Sequence, residues 1–150
     1  MKKLFAVSVF VAMVVLSTVS FGTGVVAQQA GNAQADLFHK PFGAGVDCQG
    51  NGANTGVPDG GFVNAHINRQ RGVLTLNVHV ENGLPDTTYD VFVRCIRVLG
   101  TLTTNSQGVG NATFKTPAAG IPPTFAIDMH AQPFQFPTLD TLVSEPITLP

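Results

Sequence analysis

The sequence predicts an all-β fold, an antiparallel β-sandwich of seven or eight strands. Three observations carry the prediction. Apolar and polar residues alternate, most clearly where Leu74, Leu76, Val78 and Val80 interleave with Thr75, Asn77, His79 and Glu81. A period of two puts one set on each face of a strand. Sixteen glycines and ten prolines punctuate short runs, which suits strands joined by turns better than helices. The turns recur at a spacing typical of sandwiches, and no internal repeat of useful length replaces the pattern.

The central stretch, Val73 to Thr116, reads as four consecutive strands. After the first, the turn GLPDTT leads into Tyr89, Val91, Val93 and Cys95, which repeat the inward alternation. A shorter run follows at Val98–Thr104. The turn NSQGVG then precedes Ala112 and Phe114, set between Asn111, Thr113 and Lys115. Upstream, Phe62–Asn68 points Val63, Ala65 and Ile67 inward and Phe62, Asn64, His66 and Asn68 outward. Antiparallel pairing through the turn Arg69–Gly72 sets Ile67 beside Leu74, Ala65 beside Leu76 and Val63 beside Val78. Inward meets inward, so the register is self-consistent.

The N-terminus reads as a signal peptide over residues 1–27. Lys2 and Lys3 form a positive start, Leu4 to Leu16 is apolar, and Val25-Val26-Ala27 ends in a small residue before Gln28. The apolar run is shorter than the ~20 residues of a membrane span. No Cys near the cleavage point offers a lipid anchor. Residues 28–36, small and polar, are expected as a disordered leader. Residues 37–150 are then one domain, opening with an edge strand at Leu37–Phe42 closed by Pro41. Seven of residues 43–61 are Gly, which makes that segment a long loop. Beyond Thr116 come a Pro-rich connection and a strand at Thr124–His130 with Phe125, Ile127 and Met129 on one face. An aromatic loop, QPFQFPT, follows. Leu142–Leu149 closes the chain, interrupted at Pro146.

A net charge of −1 with sparse charged residues offers neither the basic patch of a nucleic-acid partner nor a polybasic membrane anchor. In an exported chain the two cysteines, Cys48 and Cys95, are expected to pair. The alternation places Cys95 on the inward face of its strand. Cys48 stands in a loop whose nearby apolar residues are Val46 and Val57, too few to hold the loop by burial. The bridge is therefore expected to be its tether. The Cys-x-x-Cys spacing of redox or zinc sites is absent.

Residues 82–93, NGLPDTTYDVFV, resemble the segment leading into the sixth strand of fibronectin type III and related immunoglobulin-like sandwiches. The matching positions are Leu84, Pro85, Thr87 or Thr88, Tyr89, Val91 and Val93. The resemblance implies that Tyr89 hydrogen-bonds back to the preceding turn as a tyrosine corner. A closer likeness is to small exported prokaryotic sandwich modules of unassigned function. These follow such a segment with a hairpin that here reads Leu99-Gly100-Thr101-Leu102-Thr103-Thr104, then Gly108 and Gly110. The likeness covers roughly residues 60–118 and implies an immunoglobulin-like fold. The shared positions are turn and core residues, so no catalytic residue comes with it.

Candidate sites are few. His66 and His79 point outward from paired strands, with His66 opposite Thr75 and His79 opposite Phe62. Four residue steps, roughly 13 Å, separate them, too far to share one ion. With His130 and Asp128 they are the candidate ligands of a copper or zinc site, including a superoxide-dismutase-like one on a related sandwich. The His-x-His spacing that would favour it is absent. Asp47, Asn51, Asn54 and Asp59 offer oxygen ligands for calcium, though Asx-Gly pairs are also what ordinary turns use. No Gly-x-Ser-x-Gly, Walker loop or His-Glu-x-x-His occurs. Asn111-Ala112-Thr113 matches a glycosylation sequon and reads as ordinary strand. Phe38, Phe42, Phe62, Phe134 and Phe136 mark either a contact surface or caps on the ends of the sandwich. The functional expectation is an exported, non-enzymatic protein that binds or builds at the cell surface or in the extracellular space. Its partner is then a protein or glycan. The alternative is a metal-binding sandwich or metalloenzyme using the surface histidines.

Overall fold

A computed structural model describes residues 31–41, 45–55, 58–68, 71–133 and 140–150. The expected signal peptide, Phe42, Phe134 and Phe136 lie outside the described residues. The elements are β1 (Gly31–Pro41), a 3-10 turn (Ala53–Thr55), β2 (Gly61–Asn68), β3 (Val73–Val80), β4 (Thr88–Val93), β5 (Arg97–Thr103), β6 (Gly110–Pro117), β7 (Thr124–Phe125), β8 (Ile127–Ala131), β9 (Asp140–Ser144) and β10 (Ile147–Thr148).

The protein is all-β. Eight strands form one antiparallel sheet in the order β5-β4-β8-β9-β1-β2-β3-β6, and β7 and β10 form a small separate pair. The end strands β5 and β6 come alongside each other, so the sheet curls nearly shut and is barrel-like. Such curling follows from strand twist, and it shields edges that would otherwise be left open.

The strand β1 makes this closure possible. Its residues 31–36 pair with β2, and its residues 37–41 pair with β9. One strand therefore belongs to both halves of the sheet. Over residues 31–36 this replaces the expected disordered leader with strand, because β1 begins at Gly31 rather than Leu37, and residues 28–30 lie outside the described residues. Polar composition misleads there. Asn32, Gln34 and Asp36 alternate with Ala33 and Ala35, and Ala35 is buried. Half the segment faces water and the other half is small, so it lacks an obvious apolar signal.

The β2–β3 register is the one expected, with Val63 opposite Val78, Ala65 opposite Leu76 and Ile67 opposite Leu74. The inward residues of both halves meet in one core, which includes Leu37, Val63, Leu74, Leu76, Tyr89, Val91, Met129 and Leu142. Each fully buried aliphatic side chain contributes about 1.5–3 kcal/mol relative to exposure.

Two strands depart from the expected outline. The run Thr124–His130 is split at Ala126, where the Ile127 N–H bonds the Ser144 hydroxyl at 2.9 Å instead of a ladder carbonyl. The closing strand is broken between β9 and β10, and Pro146, which has no N–H to donate, stands in the gap.

Candidate functional site

Two outward faces carry the polar chemistry. The first, on β4, β8, β9 and the second half of β1, lies beneath the Gly-rich loop. The second, on β2, β3, β6 and the first half of β1, is open.

Cys48 and Cys95 form a disulfide with a Cα–Cα distance of 5.6 Å. The pairing is as expected, but Cys95 is not on the inward face of a strand. The strand β4 ends at Val93, and Cys95 is exposed in the turn before β5, with φ +60°. Alternation could not reveal this, because the period of two stops where the ladder stops.

The bridge is not the loop's sole attachment. Arg94 donates from Nε to the Asp47 carbonyl and from Nη2 to the Val46 carbonyl, both at 2.9 Å. Its Nη1 meets Asp128 Oδ2 at 2.5 Å. Phe38, Val143 and Ala53 form a second small apolar cluster, with Val46 packed against it. Lys40 Nζ donates to Thr55 Oγ1 at 2.5 Å. Gly50, at φ +91°, passes so close that a Cβ would lie 2.7 Å from the Ser144 carbonyl. Burial thus does help hold the loop, contrary to the sequence expectation. The apolar partners come from β1 and β9, where a count of the loop's own residues does not look.

Asp47 organises the loop internally. Its Oδ1 accepts the N–H groups of Gln49 and Asn51, each at 2.9 Å, and its Oδ2 accepts Asn51 Nδ2 at 2.7 Å. The Asn51 side-chain bond, helped by backbone N–H groups, holds the Asp47 carboxyl below its ordinary pKa. The residue proposed as a calcium ligand is engaged as a turn former.

The metal candidates divide between faces. His130 Nε2 lies 3.2 Å from Asp128 Oδ2, under the loop, where Arg94 also engages that carboxylate. His66 and His79 are on the open face, so the four do not converge. Among the described residues no group of three or more His, Cys, Asp or Glu is placed to hold a metal. Phe38, expected as a contact aromatic, is 5% exposed and packs in the cluster beneath the loop.

The open face is a grid of three rows, each crossing β1, β2, β3 and β6. The first row is Asn32, His66, Thr75 and Lys115. The second is Gln34, Asn64, Asn77 and Thr113. The third is Asp36, Phe62, His79 and Asn111. His66 stands opposite Thr75 and His79 opposite Phe62, as the sequence register requires. His66 Nδ1 and Asn32 Oδ1 are 2.6 Å apart, and Thr113 Oγ1 donates to Asn77 Oδ1 at 2.8 Å.

His79 is the most constrained of these groups. Its Nδ1 lies 2.6 Å from Asn111 Oδ1 and its Nε2 2.9 Å from Glu81 Oε1. Its ring sits 4.9 Å from that of Phe62. The Asn111 hydrogen bond raises its pKa above the ordinary histidine value, burial opposes this, and the Glu81 carboxylate adds to the rise. Two shallow grooves cross the grid, of about 410 and 280 Å³, and they share Asn77. The larger lies over β1 and β2, the smaller over β3 and β6 beside Phe62.

No protein-family model, characterised protein or solved structure matches the chain. The class defined by its own geometry is a small disulfide-tethered antiparallel β protein with one covered and one open polar face.

Proposed function

We propose that the protein is an exported, non-enzymatic β protein that acts by binding, or as a structural component, at the cell surface or in the extracellular space. The immunoglobulin-like sandwich relationship belongs to the same proposal. In its favour, β1 divides its pairing between two sheet halves, and the Tyr89 hydroxyl accepts the Leu84 N–H at 2.8 Å, as a tyrosine corner does. The observation that carries the binding reading is the open grid on β1, β2, β3 and β6, where polar side chains stand in register, exposed or half-buried, on one face of the sheet. Export is supported by the positively charged, then apolar N-terminus and by the disulfide, which persists in oxidising compartments.

The test joins fractionation with assay. The chain recovered outside the cytoplasm should begin at Gln28, carry no free thiol and show no hydrolytic or redox turnover. Reproducible turnover would remove the non-enzymatic reading, and cytoplasmic retention would remove export. The competing metal-dependent reading is examined on the same untagged material. Stoichiometric copper or zinc, lost in His130→Ala or His79→Ala, would replace the proposal with it.

A further inference from the structure

We propose that the open face of β1, β2, β3 and β6 is a binding site for an uncharged polysaccharide. This rests on the binding reading above and gives it a ligand class.

The chemistry of the grid points to a polyol. Its middle row, Gln34, Asn64, Asn77 and Thr113, contains no charge, and all four residues are exposed. An amide both donates and accepts, and so does a hydroxyl. A sugar hydroxyl of either orientation therefore finds a partner on such a row. The fixed charges of this face stand at its rim, with Lys115 ending the first row, Asp36 starting the third and Glu81 paired with His79 just beyond the third. They are few and of mixed sign. A polyanion or polycation would find no field to follow, and the net charge of −1 adds none.

The spacing fits an extended chain. Neighbouring strands lie about 4.8 Å apart. A polysaccharide laid across them meets a new polar side chain at about the length of one pyranose ring. The two grooves meet at Asn77, offset by one row, the larger lined by the first and second rows and the smaller by the second and third, and together their linings include all four strands. Phe62, half-buried and braced on the His79 ring, gives the face one fixed aromatic surface against which the C–H side of a sugar can stack.

A protein partner fits less well. The core of a protein interface is rich in aromatic and apolar groups. Among the described residues the large hydrophobic ones left exposed are Leu84, Ile96 and Val98, and none belongs to this grid.

The experiment is retention of the purified protein, as recovered from outside the cytoplasm, on insoluble neutral polysaccharides. Cellulose, curdlan, mannan and starch are the probes, with alginate and heparin resins as charged controls. At least one neutral probe should retain the protein, and 1 M salt should not release it. Phe62→Ala and Asn77→Ala should each weaken retention at least tenfold, and Gln34→Ala and Asn64→Ala should do so less strongly. All four variants are to be checked by melting temperature. Gln34 and Asn64 have no side-chain hydrogen bond within the described residues, so their variants keep the test valid if Asn77→Ala does not fold. Val98→Ser, outside the grid, should bind as the parent does. Retention only on alginate or heparin, or on no probe, overturns the polysaccharide site. Neutral-probe retention that ignores every grid substitution overturns the site and leaves the general binding reading standing. Capture of a protein partner with no polysaccharide retention has the same consequence.

Discussion

Arg94 reaches across to Asp128 at 2.5 Å while its other nitrogens hold the main chain at Val46 and Asp47. The residue beside Cys95 thus grips the residues just before Cys48. The loop is fastened twice within a few residues, once covalently and once through a charged hydrogen-bond hub.

The two fastenings make separable predictions. Reducing the bridge should lower stability by up to about 4 kcal/mol on the chain-entropy estimate for a separation of 47 residues. Hydrogen exchange should rise first in residues 45–55, with the strands from β2 onward largely protected. Arg94→Ala should cost about 2–4 kcal/mol, because it takes the guanidinium from a largely buried Asp128 carboxylate and leaves its Oδ2 to His130. Combining Arg94→Ala with Cys48→Ser and Cys95→Ser should raise exchange in the loop beyond either change alone, leaving it to the apolar cluster around Phe38 and the Lys40–Thr55 bond. Unchanged loop exchange in the triple variant would show that the small cluster around Phe38 holds it unaided.

Removal of residues 1–36 tests the role of β1. Cleavage before Gln28 leaves all six β1–β2 pairs intact, whereas cutting after Asp36 deletes them and exposes the edge of β2. The shorter chain should melt at least 10 °C lower, or aggregate through that edge. Equal melting of chains starting at Gln28 and Leu37 would mean that the first half of β1 contributes nothing to the fold.

His79 provides a pH dependence. Its raised pKa means that folding favours the protonated ring. The resulting stability is fully present below the unfolded value of about 6.5 and disappears as pH rises through the higher folded value. Relative to His79→Gln, the parent should be more stable at pH 5 than at pH 8.5. Asn111→Ala should move the His79 titration, followed by NMR, downward. A stability difference that is flat across this range would show that the contacts with Asn111 and Glu81 do not persist in solution.

Tyr89→Phe tests the corner. The side chain is fully buried, and its loss of a hydroxyl leaves the Leu84 N–H without its acceptor. A cost of about 1–2 kcal/mol is expected. Gly108→Ala, in the turn packed against this corner, should be worse. Its φ is +74°, and a Cβ would lie 2.1 Å from the Gly83 carbonyl oxygen. Denaturant midpoints would measure both. A neutral Tyr89→Phe would mean that water replaces the hydroxyl there.

What the amino-acid sequence determined by itself is local. Alternation at Leu74–Val80 and Val63–Ile67, with a short turn between, leaves one register in which every inward residue meets another, and that register is observed. The same logic put His66, His79 and Phe62 on one outward face. The pairing of Cys48 with Cys95, the two cysteines of the sequence, was legible there too. The tertiary structure decided everything that depends on closure. It shows the sheet curling nearly shut where the sequence suggested two open layers, because twist accumulates over eight strands and no single strand records it. It drew β1 into both halves. It set Phe38 beneath the loop, because the partners that bury it, Val143 and Ala53, are far away in sequence. It separated His130 and Asp128 from His66 and His79, since strand order, unlike periodicity, depends on which distant segments pair. It also aligned the amides of four strands into one grid. Each amide alone reads as an ordinary exposed strand residue, and only the pairing of β1, β2, β3 and β6 makes them a surface.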